Sequence, residues 1–133
     1  MRKTRYFIFL LICVCVSGCA SVVLFGAGTV AGIGGYKYYN GSLVVVYQAP
    51  YIKTWDAATL ALRDMDLVIE SSKHDQITGK IKARRADKVP VTVALKYLSA
   101  DETEAKIRVG LMGDEPTSNV IKDNIGKVLF KTE

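Results

Sequence analysis

Thr78-Gly79-Lys80-Ile81-Lys82-Ala83-Arg84-Arg85 is the stretch that decides the fold. Gly79, Ile81 and Ala83 are small or apolar, and they alternate with Lys80, Lys82 and Arg84. A period of two sends alternate side chains to opposite faces of a strand. The stretch predicts a half-buried strand, with a core on one face and a row of positive charge on the other.

The same reading extends outward. Lys73-His74-Asp75 makes a polar turn on one side and Ala86-Asp87-Lys88 on the other. Beyond the first lies a strand over Leu67 to Ser72; beyond the second lies one over Val89 to Leu98. In the latter Val91, Val93 and Leu95 face the core and Lys96 faces away. Ser99-Ala100-Asp101-Glu102 turns again into Thr103 to Val109, where Ala105, Ile107 and Val109 point in while Glu104, Lys106 and Arg108 point out. Upstream, the β-branched run Leu43 to Tyr47 is a further strand, ended by Ala49-Pro50. Short polar connections imply hairpins and hence an antiparallel sheet.

Two helices complete the pattern. Proline is tolerated where a helix starts, because its missing N–H would be unpaired there anyway. After Pro50, the residues Ile52, Trp55, Ala58, Thr59, Leu62 and Met65 recur at helical spacing, predicting a helix from Tyr51 to Met65. Trp55 is its expected core anchor, with ligand stacking as the alternative. Asp114-Glu115-Pro116 introduces a second helix with Val120, Ile121, Ile125, Val128 and Leu129 as its apolar stripe. The expected fold is α+β: an antiparallel sheet of about five strands, in the order strand, helix, four strands, helix. Both helices should pack on one face, since each has one stripe to bury. Residues 41–133 form the single expected domain, in keeping with a 133-residue chain.

The first 40 residues are different in kind. Arg2, Lys3 and Arg5 form a positive end, and an uncharged stretch from Tyr6 to Val16 follows. Ser17 and Gly18 then precede Cys19, which completes the three-part secretory pattern. The apolar stretch falls short of the roughly 20 residues a membrane span needs. Val16-Ser17-Gly18-Cys19 resembles the bacterial lipobox, whose small side chains admit the peptidase and whose cysteine accepts a diacylglyceryl thioether. The expectation is a leader over 1–18, cleavage before Cys19, and acylation of that thiol. Cys13 and Cys15 leave with the leader. Ala20 in place of an aspartate implies, by the same resemblance, the outer membrane rather than inner-membrane retention, with the domain facing the periplasm.

Residues 19–40 are the lipidated cysteine and a Gly/Ala-rich neck. Ala27, Gly28, Ala31, Gly32 and Gly35 lie four apart in two series, a spacing that suits close helix packing in lipid. The competing reading is a flexible apolar neck, because glycine disfavours a helix by about 1 kcal/mol per residue. Tyr36, Tyr38 and Tyr39 mark the exit toward the membrane interface, and Asn40-Gly41-Ser42 is a turn.

Read end to end, the chain resembles a family of small bacterial lipoproteins catalogued as a domain of unknown function. The lipobox with its neck carries the resemblance, together with Tyr39-Asn40-Gly41, Lys53-Thr54-Trp55-Asp56-Ala57 and Ser71-Ser72-Lys73. So do Gly79-Lys80-Ile81-Lys82-Ala83-Arg84, Ile107-Arg108-Val109-Gly110 and Gly113-Asp114-Glu115. The resemblance implies localisation and fold; it implies no activity.

Several functional classes are excluded as expectations. Removing Arg2, Lys3 and Arg5 from the 18 basic residues leaves 15 against 13 acidic ones, a formal +2, so nucleic acid is not an expected partner. Ser72, His74 and Asp75 are too close in the chain to converge as a triad, and His74 is the sole histidine. Asp101, Glu102 and Glu104 fit a solvated hairpin tip. Gly32-Ile33-Gly34-Gly35 lacks the strand–loop–helix setting of a phosphate loop. No enzyme activity, metal or cofactor is expected. What remains is an envelope interaction or structural module, or alternatively a carrier with an apolar cavity between sheet and helices. The candidate docking surface is the outward face: Lys80, Lys82, Arg84, Lys96, Lys106 and Arg108, with Glu104 as its one acid. It would bind an anionic envelope component or protein, while the bilayer is reached through Cys19. The competing reading is that a one-sided sheet simply needs a solvated face, which long cationic side chains cover well.

Overall fold

Hairpin by hairpin, local turn chemistry builds most of the sheet in the computed structural model, which describes Lys3 and residues 32–131. Asn40 and Gly41 both adopt positive φ, +51° and +75°. That pair makes the tight primed turn favoured between antiparallel strands. It joins β1 (Ile33–Tyr39) to β2 (Ser42–Tyr47). Asp75 closes the next hairpin: its Oδ1 accepts from the backbone N–H of Ile77 at 2.7 Å and of Thr78 at 2.8 Å. This turn joins β3 (Val68–His74) to β4 (Thr78–Arg84), and β5 (Pro90–Ser99) and β6 (Glu102–Val109) follow. All neighbours are antiparallel, and their order is β1-β2-β6-β5-β4-β3.

The fold is α+β as expected, but the sheet has six strands rather than about five. The added strand, β1, lies within the stretch read as neck. Its glycines and tyrosines show no apolar alternation, so nothing local announces it; pairing with β2 creates it. Its first turn is fastened by Gln48, whose backbone N–H donates to the Gly32 carbonyl at 2.6 Å. Phe130 lies over Gly32, and Gln48 lies over Gly34, where side chains would not fit. Both edge strands carry register irregularities, between Ile33 and Gly35 and between Ile69 and Ser71. Such bulges discourage edge-to-edge pairing.

Two helices, α1 (Tyr51–Asp64) and α2 (Glu115–Leu129), cover one face. Asp114 caps α2, accepting from Thr117 N at 3.1 Å, as its position before Glu115-Pro116 suggests. The buried side of α1 is Tyr51, Thr54, Trp55, Ala57, Ala58, Ala61 and Leu62. Ile52, expected in that stripe, is 54% exposed, because it sits one residue and about 100° around from Tyr51. Val120 is likewise half exposed, one position away from Ile121 at the centre of its helix's buried side.

Trp55 is 7% exposed and is a core anchor, as expected. It rests over Gly79: a Cβ there would lie 2.5 Å from Trp55 Cζ3 and 2.7 Å from Tyr51 Oη. His74 belongs to the end of β3 rather than to the turn, and its ring packs against Trp55 with centroids 4.5 Å apart. The two layers are also pinned by polar contacts. Tyr47, fully buried, donates from its hydroxyl to the Lys122 carbonyl at 2.8 Å, and Thr103 Oγ1 donates to the Ala49 carbonyl at 2.9 Å. Lys122 is itself buried, its ammonium 3.6 Å from the Tyr36 ring centroid and 3.5 Å from Asp123 Oδ1. That pair holds β1 to α2.

Candidate functional site

Strand alternation does on β4, β5 and β6 what the sequence predicts. Gly79, Ile81, Ala83, Val91, Val93, Leu95, Ala105, Ile107 and Val109 lie under the helices. Lys80, Lys82, Arg84, Lys96, Lys106 and Arg108 are exposed on the opposite, open face. The strands are adjacent, so the six side chains share one surface.

Register then brings in two cations that the sequence did not assign to it. Lys37 opposes Val44, Val44 opposes Lys106, Lys106 opposes Ala94, Ala94 opposes Lys80, and Lys80 opposes Lys73. One row across all six strands therefore carries four lysines. Lys37 escapes sequence reasoning because β1 has no strand signature, and Lys73 because its polar neighbours predict a turn. Neighbouring strands are about 4.8 Å apart, so Lys106 and Lys80, with Ala94 between them, are separated by roughly 10 Å. Lys80 and Lys73 are direct cross-strand partners. Like charges in that position destabilise a sheet. Lys73, Lys80, Lys96 and Lys106, with the acids Asp75 and Glu104, line a shallow depression of about 510 Å³ on this face.

The eight cations are not equivalent. Arg84 Nε donates to Glu70 Oε1 at 2.6 Å, and this hydrogen bond holds the Glu70 carboxyl below its ordinary pKa and the Arg84 guanidinium above its own. Arg108 donates to the backbone carbonyls of Asn40, at 3.1 Å, and Leu111. Both arginines thus have structural partners. Among the described residues, Lys37, Lys73, Lys80, Lys82, Lys96 and Lys106 make no ion pair within 4.0 Å.

The remaining chemistry-bearing groups stay apart or serve the fold. The Asp75 carboxylate is held low by the Thr78 and Ile77 N–H groups of its own turn. His74 faces Trp55, and its Nδ1 lies 3.2 Å from the Asp75 carbonyl rather than beside a nucleophile. Glu102 Oε1 accepts from Gln48 Nε2 at 3.5 Å, while Glu104 lies on the open face opposite Lys96. Burial raises the Tyr51 phenol, with Asp75 adding to the shift; its hydroxyl is buried without a hydrogen-bond partner. Among the described residues no three His, Cys, Asp or Glu side chains gather as a metal site, and no helix is long and apolar enough to cross a membrane. Cys19, the leader apart from Lys3, and the neck up to Ala31 lie outside the described residues.

Residues 4–128 match a family model described as "Protein of unknown function (DUF3568)". No curated protein matches the chain.

Proposed function

This chain belongs to the DUF3568 family, and we propose that it is a lipid-anchored protein of the bacterial envelope that works by docking rather than by catalysis. The anchor is Cys19, acylated after cleavage behind Gly18. The leader pattern supports this, and Ala20 supports the outer membrane as its location, with the domain in the periplasm. Two or more acyl chains give stable attachment, at about 0.8 kcal/mol per buried CH₂.

The open sheet face is the docking surface, and its partner is anionic. The observation that carries this reading is the opposition of Lys73 and Lys80, flanked by Lys96 and Lys106 around one depression. A solvated face needs polar side chains, but not like charges set against each other. An anionic partner relieves that repulsion. The filled core favours docking over carriage of a small ligand: Leu43, Leu62, Ile81, Ile107, Ile121 and Ile125 are fully buried where a cavity would have to open.

The test is charge reversal at Lys80, Lys82 and Lys106. Arg84 is left intact because it holds Glu70. The triple variant should fold like the parent and lose its crosslinks in intact envelopes at low salt. Unchanged crosslinking would exclude the docking role.

A further inference from the structure

At one end of the open face the chain sets out three apolar side chains that nothing in the fold uses. Leu111 and Met112 are 83% and 91% exposed, and Tyr39 is 67% exposed. Tyr39 is on the open face, because its neighbour Tyr38 opposes Leu43 on the covered one. Loose loops often expose a leucine; this loop is built. Gly110 and Gly113 flank the pair at φ +73° and +88°. Gly113 packs directly against Gly41, and the Met112 carbonyl sits so close to Gly41 that a Cβ there would lie 2.8 Å from it. The Arg108 guanidinium fastens the Leu111 carbonyl to that of Asn40. The backbone is held so that both side chains point outward.

We infer that Tyr39, Leu111 and Met112 form an apolar wedge that enters a lipid bilayer while the lysine face lies on its anionic headgroups. The inference rests on the docking role of the basic face and names its partner. Three observations favour a bilayer over a protein. On the open face the cations whose side chains have no ion-pair or hydrogen-bond partner among the described residues are all lysines. Lysine is depleted in protein–protein interfaces, whose anchors are aromatic residues and arginine. A field of lysines beside a few apolar tips is instead the composition that holds peripheral proteins on acidic membranes. The opposite end of the sheet also exposes apolar groups, Ile77, Tyr97 and Leu98, but Tyr97 and Leu98 lie near Asp101 and Glu102, which an anionic surface repels. On the open face the acids are Glu104, Glu70 and Asp75, against eight cations; Glu70 is paired with Arg84, and Asp75 is held by the backbone of its own turn. The tether allows the posture: the 13 Cα–Cα steps from Cys19 to Gly32 span at most about 45 Å.

The test uses the full chain, extracted from membranes and reconstituted into vesicles of phosphatidylcholine and phosphatidylglycerol carrying brominated acyl chains. Met112→Trp places a quenchable indole at the wedge; Leu60→Trp places one on the exposed side of α1. Trp55 is shielded inside the core and supplies a constant background. The indole at position 112 should lose most of its emission in the mixed vesicles, and the one at position 60 should not. Pure phosphatidylcholine, or charge reversal at Lys80, Lys82 and Lys106, should restore the emission. No quenching at position 112, or equal quenching at both positions, overturns the wedge. If position 112 is unquenched while charge reversal still abolishes a crosslink to an envelope protein, the partner is that protein: the wedge falls and the docking face stands.

Discussion

Ile81 and Lys82 are consecutive in the chain and end in opposite surroundings, one fully buried under the helices and the other exposed on the open face. The comparison holds along β4, β5 and β6. On the covered face, shape decides: Trp55 fits over Gly79 because glycine has no Cβ. On the open face, charge decides: lysines project with no partner among the described residues. A substitution should therefore act on stability in the first case and on association in the second.

The largest effect expected is on the covered side. Trp55→Ala should cost about 3–5 kcal/mol, a large share of the stability of a small domain, read as a shift in the denaturant midpoint. A change near zero would mean that the core tolerates an empty socket, and the contrast between the faces would be lost. Gly79→Ala tests the same socket from the sheet side. Its methyl must displace the Trp55 ring and the Tyr51 hydroxyl, so overpacking should cost about 1–3 kcal/mol. The same change at an exposed strand position would go almost unnoticed.

Acid should separate the turns and caps from the lysine field. The carboxyls of Asp75 and Asp114 are held below their ordinary pKa, each mainly by backbone N–H donors: those of Thr78 and Ile77 for Asp75, and that of Thr117 for Asp114. A lowered carboxyl contributes stability that is fully present above its unfolded-state pKa and is lost as pH falls through the folded one. Thermal melts should therefore weaken below the ordinary carboxylate range, and Asp114→Ala should flatten that acid slope. If the slope is unchanged, the cap contributes nothing to it.

Smaller still, and opposite in sign, is Lys80→Gln. Removing one of two directly opposed lysines should stabilise the sheet by about 0.2–1 kcal/mol while weakening docking at low salt. A loss of stability instead would show that Lys73 and Lys80 do not repel, removing the main support for an anionic partner. Smallest is Lys82→Ser, expected within about 0.5 kcal/mol of the parent. A larger loss would mean that Lys82 has a structural partner after all.

Much of the covered face was legible in the sequence because alternation is a local property. Thr78 to Arg84 and Thr103 to Val109 state which side chains go in, whatever lies beside them. Asn40-Gly41 and Asp114-Glu115-Pro116 likewise announce a turn and the start of a helix through their own backbone preferences. Ile52 and Val120 show the limit of periodicity: an apolar residue at the margin of a stripe is placed in or out by the width of the cover, not by its spacing. His74 was misplaced by its polar neighbours, since the ring it packs against belongs to a helix some 19 residues away in the chain.

The sequence alone determined the secondary structure of the central strands, the two helices, and the division of β4, β5 and β6 into a core side and an outward side. Those follow from interactions among residues a few positions apart. Only the tertiary structure decided that Ile33–Tyr39 becomes a strand, that β2 lies beside β6, and that Lys37, Lys106, Lys80 and Lys73 stand in one row. Periodicity assigns a residue to a face; neighbours across a sheet are chosen by pairing between distant segments, and no local pattern carries that register.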